Sequence, residues 1–370
     1  MPSFLSLLNS TPLRSLLLAA AILPSAHAAA DNDDDAADDT PETFTALPGK
    51  SGGRSTIRLW AENDLGWSDK YYTSGVKFAY TSPEIFAKDT PLFFRDLIAL
   101  TPLSLSSPTQ PAAYRFHFGL THEIYTPKHE YDHTPPPGDH PYSGLLYATF
   151  ALSSETASSL DAIELSTGVI GPSATAKQAQ NGWHRFIDEP LANGWHTQLH
   201  DEPILQFAWT RVGRYNWAQF GGFEIEWLPR IHVEIGTVRD YAAIGSQWRI
   251  GWHLPRDFGT GGIHSSIALA RPARNFDAPL TFSSALPDSA WLFIDAQAEA
   301  WLWNAPLEGN VWHHSTKVHA RPFAGGVAVG IAAQWNGWTL SITENLRTQA
   351  FRGQDKQFSA FTSISLGITF

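Results

Sequence analysis

The last ten positions of the chain alternate strictly. Ile364, Leu366, Ile368 and Phe370 fall on one face of an extended segment, and Ser363, Ser365, Gly367 and Thr369 fall on the other. A period of two with one apolar face is the signature of a β-strand. The same period recurs upstream. Tyr114, Phe116, Phe118 and Leu120 alternate with Arg115, His117, Gly119 and Thr121, and Val76, Phe78 and Tyr80 alternate with Lys77, Ala79 and Thr81. Ile231, Val233 and Ile235 alternate with His232, Glu234 and Gly236. The pattern predicts strands over 55–64, 72–82, 113–126, 143–153, 160–171, 203–213, 222–237, 241–253, 290–304, 322–335, 337–349 and 357–370.

Segments of about ten alternating residues suit tilted strands with apolar side chains toward lipid and polar ones toward a lumen, and closed single-chain barrels use an even number of them. The fold class is therefore read as all-β, a transmembrane antiparallel β-barrel of about twelve strands occupying 55–370. A soluble sandwich would explain any one strand, but a final strand that ends in Phe370 is the mark of barrels delivered to the bacterial outer membrane. The segment 357–370 is expected to close against 55–64, because a sheet in lipid has no tolerable open edge. Asn336-Gly337 reads as a tight periplasmic turn. The long connections 127–142, 172–202 and 254–289 read as extracellular, and 92–100 as a short surface helix. Trp60, Trp209, Trp227, Trp248, Trp291, Trp301, Trp303, Trp335 and Trp338 suit interfacial girdles, or equally core packing.

Composition narrows the partners. Of 370 residues only 16% are charged while 13% are aromatic, and there is no Cys. Absence of Cys removes disulfides, zinc-thiolate sites and a thiol nucleophile from consideration. A net charge of −11 argues against nucleic acid. Residues 1–28 read as a secretory signal: Arg14, a short apolar run from Leu16 to Leu23, then Ala26-His27-Ala28 before cleavage. Residues 29–54 read as an acidic, solvated leader carrying Asp31, Asp33, Asp34, Asp35, Asp38, Asp39 and Glu42.

Polar residues suited to catalysis gather at the strand ends. Glu62-Asn63-Asp64 ends the first strand, and Tyr72-Thr73-Ser74-Gly75 opens the second; locally these also make a good turn and a good strand start. Asp139-His140-Pro141-Tyr142-Ser143-Gly144 precedes the fourth. Gln180 and His184 are four residues apart, hence on one face if helical. A His with an amide neighbour in a Cys-free chain suggests a general base. There is no Gly-x-Ser-x-Gly elbow, zinc helix or phosphate loop. The residues by themselves support an outer-membrane barrel and leave open whether it is an enzyme.

Taken together, these motifs resemble the outer-membrane lipid A 3-O-deacylase family. The resemblance runs from Glu62-Asn63-Asp64 and Tyr71-Tyr72-Thr73-Ser74-Gly75, through Ile124-Tyr125-Thr126-Pro127 and Gly138-Asp139-His140-Pro141-Tyr142-Ser143-Gly144, to Gly168-Val169-Ile170-Gly171-Pro172 with Gln180 and His184. It continues through Arg249-Ile250-Gly251-Trp252 and Leu307-Glu308-Gly309-Asn310 to Gly353-Gln354. The family implies a twelve-stranded barrel that uses calcium to hydrolyse the 3-linked acyloxyacyl group of lipid A, with lipopolysaccharide as the partner. The resemblance places the catalytic His at His184, with Gln180, Asn63 and Thr73 beside it. It places calcium ligands at Asp64 and at an acid beyond His184, Asp188 or Glu189, of which Glu189 is preferred, and a substrate-binding or oxyanion group at Lys128. In that scheme His184 takes a proton from water, Asn63 fixes its tautomer, and the cation polarises the ester. The chain departs from the family at His140, where Arg is usual. The alternative reading is a catalytically degenerate barrel that binds lipopolysaccharide or forms a narrow pore. A membrane phospholipase would need a marked Ser nucleophile, and none stands out. The sequence does not set the oligomeric state.

Overall fold

In the computed structural model the described residues are 54–64, 70–86, 113–270 and 286–370. The expected signal segment, nearly all of the acidic leader and the expected helix at 92–100 lie outside them. The strands are β1 (Thr56–Asn63), β2 (Tyr71–Thr81), β3 (Ile85–Phe86), β4 (Ala113–Thr126), β5 (Ser143–Glu155), β6 (Ser159–Ile170) and β7 (Glu202–Gly213). They continue as β8 (Tyr215–Phe220), β9 (Phe223–Gly236), β10 (Arg239–Trp252), β11 (Ser289–Asn304), β12 (Phe323–Trp335), β13 (Trp338–Thr348) and β14 (Phe358–Thr369). Twelve of these are wall strands. All pair antiparallel with their chain neighbours, and the ring closes where β14 meets β1. The seam runs in register from Thr56↔Thr369 to Asn63↔Thr362. Ser55 and Phe370 exchange two further backbone hydrogen bonds of 2.9 Å beyond it.

The remaining two strands are short. β3 pairs only with the start of β4. β8 was not anticipated: the sequence reading placed no strand between 213 and 222. It extends β7 and pairs with the first half of β9, from Tyr215↔Trp227 to Phe220↔Phe223. Gly221 and Gly222 have φ of 57° and 85°, the two consecutive positive values that a tight primed hairpin turn demands. Without side chains they carry no periodicity, so the pattern ended early there.

The alternation is realised as a barrel with a polar inside. Along β1, Leu59 is 47% exposed while its neighbour Trp60 is 1% exposed, and Arg58 and Glu62 are buried in phase with Trp60. Lys77, Arg115, His117, Glu123, Arg249 and Glu299 are likewise buried, while Val76, Phe118, Leu120, Phe150, Leu292, Ile364 and Leu366 face outward. Of the tryptophans that suit either a girdle or core packing, two take the second role. Trp60 packs inside with Ala79, Ile263 and Ile267, and Trp291 packs with Leu254 and Phe293.

The connection after β10 corrects another expectation. The segment 254–289 was read as an extracellular loop because it is long. It leaves β10 at the barrel end that carries Ser55, Phe370 and the Asn336-Gly337 turn, opposite to the loops after β4 and β6. Its first described part, 254–270, folds back into the lumen as a strap. Lys77 donates to the carbonyls of Gly262 (3.4 Å), Ile263 (3.2 Å) and Ser265 (2.7 Å). Glu62 Oε1 accepts from the Ile263 amide at 3.0 Å, and Arg58 donates to the Thr260 carbonyl at 3.4 Å. Arg249 fixes the strap's start through Asp257 and the Pro255 carbonyl, both at 2.6 Å. Phe258 and Leu269 of the strap pack with Leu160, Val212 and Leu228 of the wall in one apolar cluster.

Replacing Lys77 by Met strands three carbonyls, at about 1–3 kcal/mol for each that stays buried and unsatisfied. The expected outcome is a lower conversion temperature of the folded band in gel electrophoresis, together with raised ion conductance in planar bilayers. Unchanged values for both would contradict a strap held by Lys77.

Candidate active site

The segment between β6 and β7 does not remain a loop. Gly171 has φ 119° and donates its amide to the Gly144 carbonyl at 2.9 Å. After it the chain forms a helix, α1 (Ala176–Ile187), that lies against the outer face of β4 and β5. The docking is tight because β5 offers a glycine there: a Cβ on Gly144 would lie 2.4 Å from the Ala176 Cβ. Ile124, Tyr142, Ala176, Ala192 and Trp195 pack between helix and wall. His122, on the outward face of β4, reaches the Ala174 carbonyl at 2.8 Å.

Four α1 residues are buried: Ala176, Gln180, Asn181 and His184. The spacing i, i+4, i+8 sets Ala176, Gln180 and His184 on one face, as read from sequence. The helix ends at Asp188, which has φ 60°, and the Glu189 amide caps the His184 carbonyl at 2.8 Å. The chain then turns back along the helix. Asn181 clamps this return segment, donating to the Ala192 carbonyl at 3.2 Å and accepting from its amide at 3.1 Å. The clamp presents the Pro190 carbonyl to His184 Nδ1 at 2.5 Å. A carbonyl only accepts, so Nδ1 carries the proton and Nε2 is the basic nitrogen. The tautomer is thus set by a backbone carbonyl, the role the sequence reading gave to Asn63.

Gln180 Nε2 donates to Glu130 Oε2 at 3.0 Å. A carboxylate accepts only, so the amide is oriented with Oε1 away from it; that oxygen is buried with no hydrogen-bond partner. Glu130 is itself buried, and its backbone carbonyl accepts from Tyr142 at 2.5 Å and from the Asn193 amide at 3.0 Å. Sequence reasoning missed both Glu130 and Asn181. Nothing in local periodicity marks Glu130, whereas Asn181 follows Gln180 on a helix and was available to the same argument.

The other expected residues lie on the neighbouring strands. Thr73 sits at a register shift in β2 and shares a hydrogen bond of 2.7 Å with Thr126, the last residue of β4. Asn63 ends β1 opposite Ser74 and Thr362. Asp64 is buried just beyond, and its Oδ2 accepts the Lys70 amide at 3.1 Å. Glu189 is exposed in the turn after α1. Among the described residues no three His, Asp or Glu side chains gather closely enough to hold a metal ion. Lys128, with its side chain 42% exposed, lies 3.4 Å from Asp355. Asp355 also accepts from Lys70 Nζ and from the Tyr71 hydroxyl, each at 2.7 Å. Partial burial opposes its charge, but these donors outweigh that and hold the carboxyl below its usual range.

His140 is buried at the mouth of the lumen. It stacks on Tyr125 with ring centroids 5.8 Å apart and contacts Phe351 edge-on. Burial pushes its imidazole down to about 4, against a weaker upward pull from its bond to the Pro141 carbonyl and from Asp139.

A barrel with an apolar outer belt, a polar inside and a His-bearing helix clasped to its outer wall is an outer-membrane β-barrel with a wall-side site. The model of the family described as outer membrane protein LpxR matches residues 16–370. The chain belongs to that family, and its location is the bacterial outer membrane. No curated protein matches the sequence. Among solved structures, LpxR from Salmonella typhimurium is 16% identical, with 85% of this chain and 100% of that chain covered at a TM-score of 0.67. That likeness is one of fold. The beta domain of the Bordetella autotransporter BrkA is 10% identical, with 86% and 98% covered at a TM-score of 0.41.

His140 gives the barrel a pH signature. Its imidazole is held neutral in the folded state and takes a proton more readily when unfolded. Its contribution to stability is therefore present above about 6.5, the ordinary His value, and is lost as pH falls toward about 4. The conversion temperature of the folded band is expected to drop across that window, and less so in His140→Phe. Equal slopes for the two proteins would refute the assignment.

Proposed function

We propose that this protein is a calcium-dependent ester hydrolase that removes the 3-linked acyloxyacyl group of lipid A in the outer membrane. The observation that carries the reading is His184: a buried imidazole on the lipid-facing side of the wall, with Nδ1–H fixed by the Pro190 carbonyl and Nε2 left as the base. His184 Nε2 takes a proton from water, and the resulting hydroxide adds to the ester carbonyl. When the tetrahedral adduct collapses, the carbon–oxygen bond to the sugar breaks. The imidazolium returns the proton to the leaving alkoxide, giving a free fatty acid and a 3-hydroxyl.

The oxygen donors fit a hard cation in kind. Gln180 Oε1 is buried without a partner, and Asp64 supplies a buried carboxylate. Asp64, Gln180 and, from the turn after α1, Glu189 are the groups that would hold calcium. A bound calcium ion would polarise the ester carbonyl and stabilise the oxyanion. Thr73 and Asn63 border the same end of the wall and would position water or substrate. Lys128, at the neighbouring loop, would meet an anionic part of lipid A. The pore alternative is disfavoured by the strap across the lumen, tied to Arg58, Glu62 and Lys77.

His184→Gln keeps a side chain of similar reach. It is expected to retain the folded band while lowering lipid A deacylation by about 10²–10⁴-fold, the usual worth of a positioned base. His196→Ala serves as the control, since His196 is exposed and its ring lies tilted against that of His133, with centroids 4.3 Å apart. Release of fatty acid is followed by mass spectrometry, with calcium and with excess chelator. Wild-type turnover by His184→Gln would overturn the assignment of the base, and full activity in chelator would remove calcium from the mechanism.

A further inference from the structure

We infer that the outer flank of α1 is a membrane-docking surface, with Trp183, Phe186 and Ile187 immersed in the outer leaflet at the boundary between headgroups and acyl chains. The inference goes beyond ester hydrolysis and stands without it. At 100° per residue α1 has three flanks rather than two. Ala176, Gln180, Asn181 and His184 face the wall. Gln178, Gly182 and Arg185 form an exposed polar flank. Ala179, Trp183, Phe186 and Ile187 form an exposed apolar one, on which Phe186 is 79% exposed, Trp183 53% and Ile187 45%. The Trp183 and Phe186 rings lie 5.6 Å apart and make one continuous patch.

The occupant follows from what the patch adjoins. α1 rests on Ile124 and Gly144. Continuing down the same outward rows, β4 presents Leu120 and Phe118, and β5 presents Phe150, all exposed. At about 3.3 Å per strand residue, Leu120 is on the order of 13 Å from Ile124 along the wall. The helix therefore sits on the rim of the lipid belt. An aromatic patch there extends the membrane-facing surface of the barrel and suits the amphipathic zone that Trp favours. Lys177 and Arg185, exposed outside the apolar flank, suit phosphate groups above it.

The chain has no Cys of its own, so single cysteines take a spin label at one site only. Phe186→Cys and Arg185→Cys, each in the full chain reconstituted into phosphatidylcholine–phosphatidylglycerol vesicles, are compared by power saturation with oxygen and with a water-soluble nickel chelate. The label at 186 is expected to favour oxygen several-fold over the label at 185. Equal access of nickel to both would overturn the inference. So would a label at 186 shielded from both reagents, which would mean that protein covers the patch. Absence of deacylation in the unmutated chain as well as in both variants would count against the proposed function and leave the label result standing.

Discussion

In hydrocarbon an unpaired backbone N–H or C=O has no water to turn to, so a sheet in a membrane must close on itself. The pairing of β14 with β1 meets that constraint, and the other features of the wall depend on it. Thr56 and Thr369 reinforce the seam from inside through a hydroxyl–hydroxyl bond of 2.9 Å, and Ser341 and Ser365 do the same one strand away at 2.7 Å. Closure also fixes the phase of every strand. Once Leu59 faces lipid, Arg58 and Glu62 face the lumen. The lumen must then neutralise its own charges, as it does in the pairs Arg230–Asp295 and Arg347–Glu299 at 2.6 Å. Unpaired, such groups would each bear the full cost of desolvation.

Much of this was legible because period two is a direct image of the pleat. The closing strand and its two faces followed from Ser363 to Phe370, and its partner from the need for closure. The strap was misplaced through reliance on length. In the strand order read from sequence, 127–142 and 172–202 each follow an odd strand, but 254–289 follows an even one. Parity assigned it to the opposite end while length suggested otherwise, and antiparallel geometry admits no exception to parity. The inward tryptophans were legible in the same way: Trp60 is in phase with Arg58 and Glu62, and Trp291 with Asp295 and Glu299. The site was legible only in part. The four-residue spacing of Gln180 and His184 announced a helical face. Glu130 and the Pro190 carbonyl meet that face through the return of the chain, which no local pattern encodes.

The proposed site and the lumen it backs onto occupy opposite sides of the same wall. The lumen is filled by the strap and by buried ion pairs, whereas α1, the Asn181 clamp and His184 are on the outside. A wall strand such as β4 serves both at once: Glu123 joins Arg239, Tyr125 and Tyr147 on the inner face, while Ile124 and Thr126, on the outer face, support α1 and Thr73. Rigid strands hold such a site better than a free loop does, because the position of each side chain is inherited from ladder hydrogen bonds.

The strap also bears on the order of assembly. Its anchors, Arg58, Glu62 and Lys77, all belong to the first two strands, about two hundred residues earlier in the chain. The seam joins residues 313 apart. Closing a long loop costs chain entropy that grows only with the logarithm of its length. Strap docking therefore takes up most of that cost before the last strand arrives. By holding β1 and β2 from inside, the strap turns the final pairing from an encounter of distant chain ends into a short-range zippering onto a strand already in place.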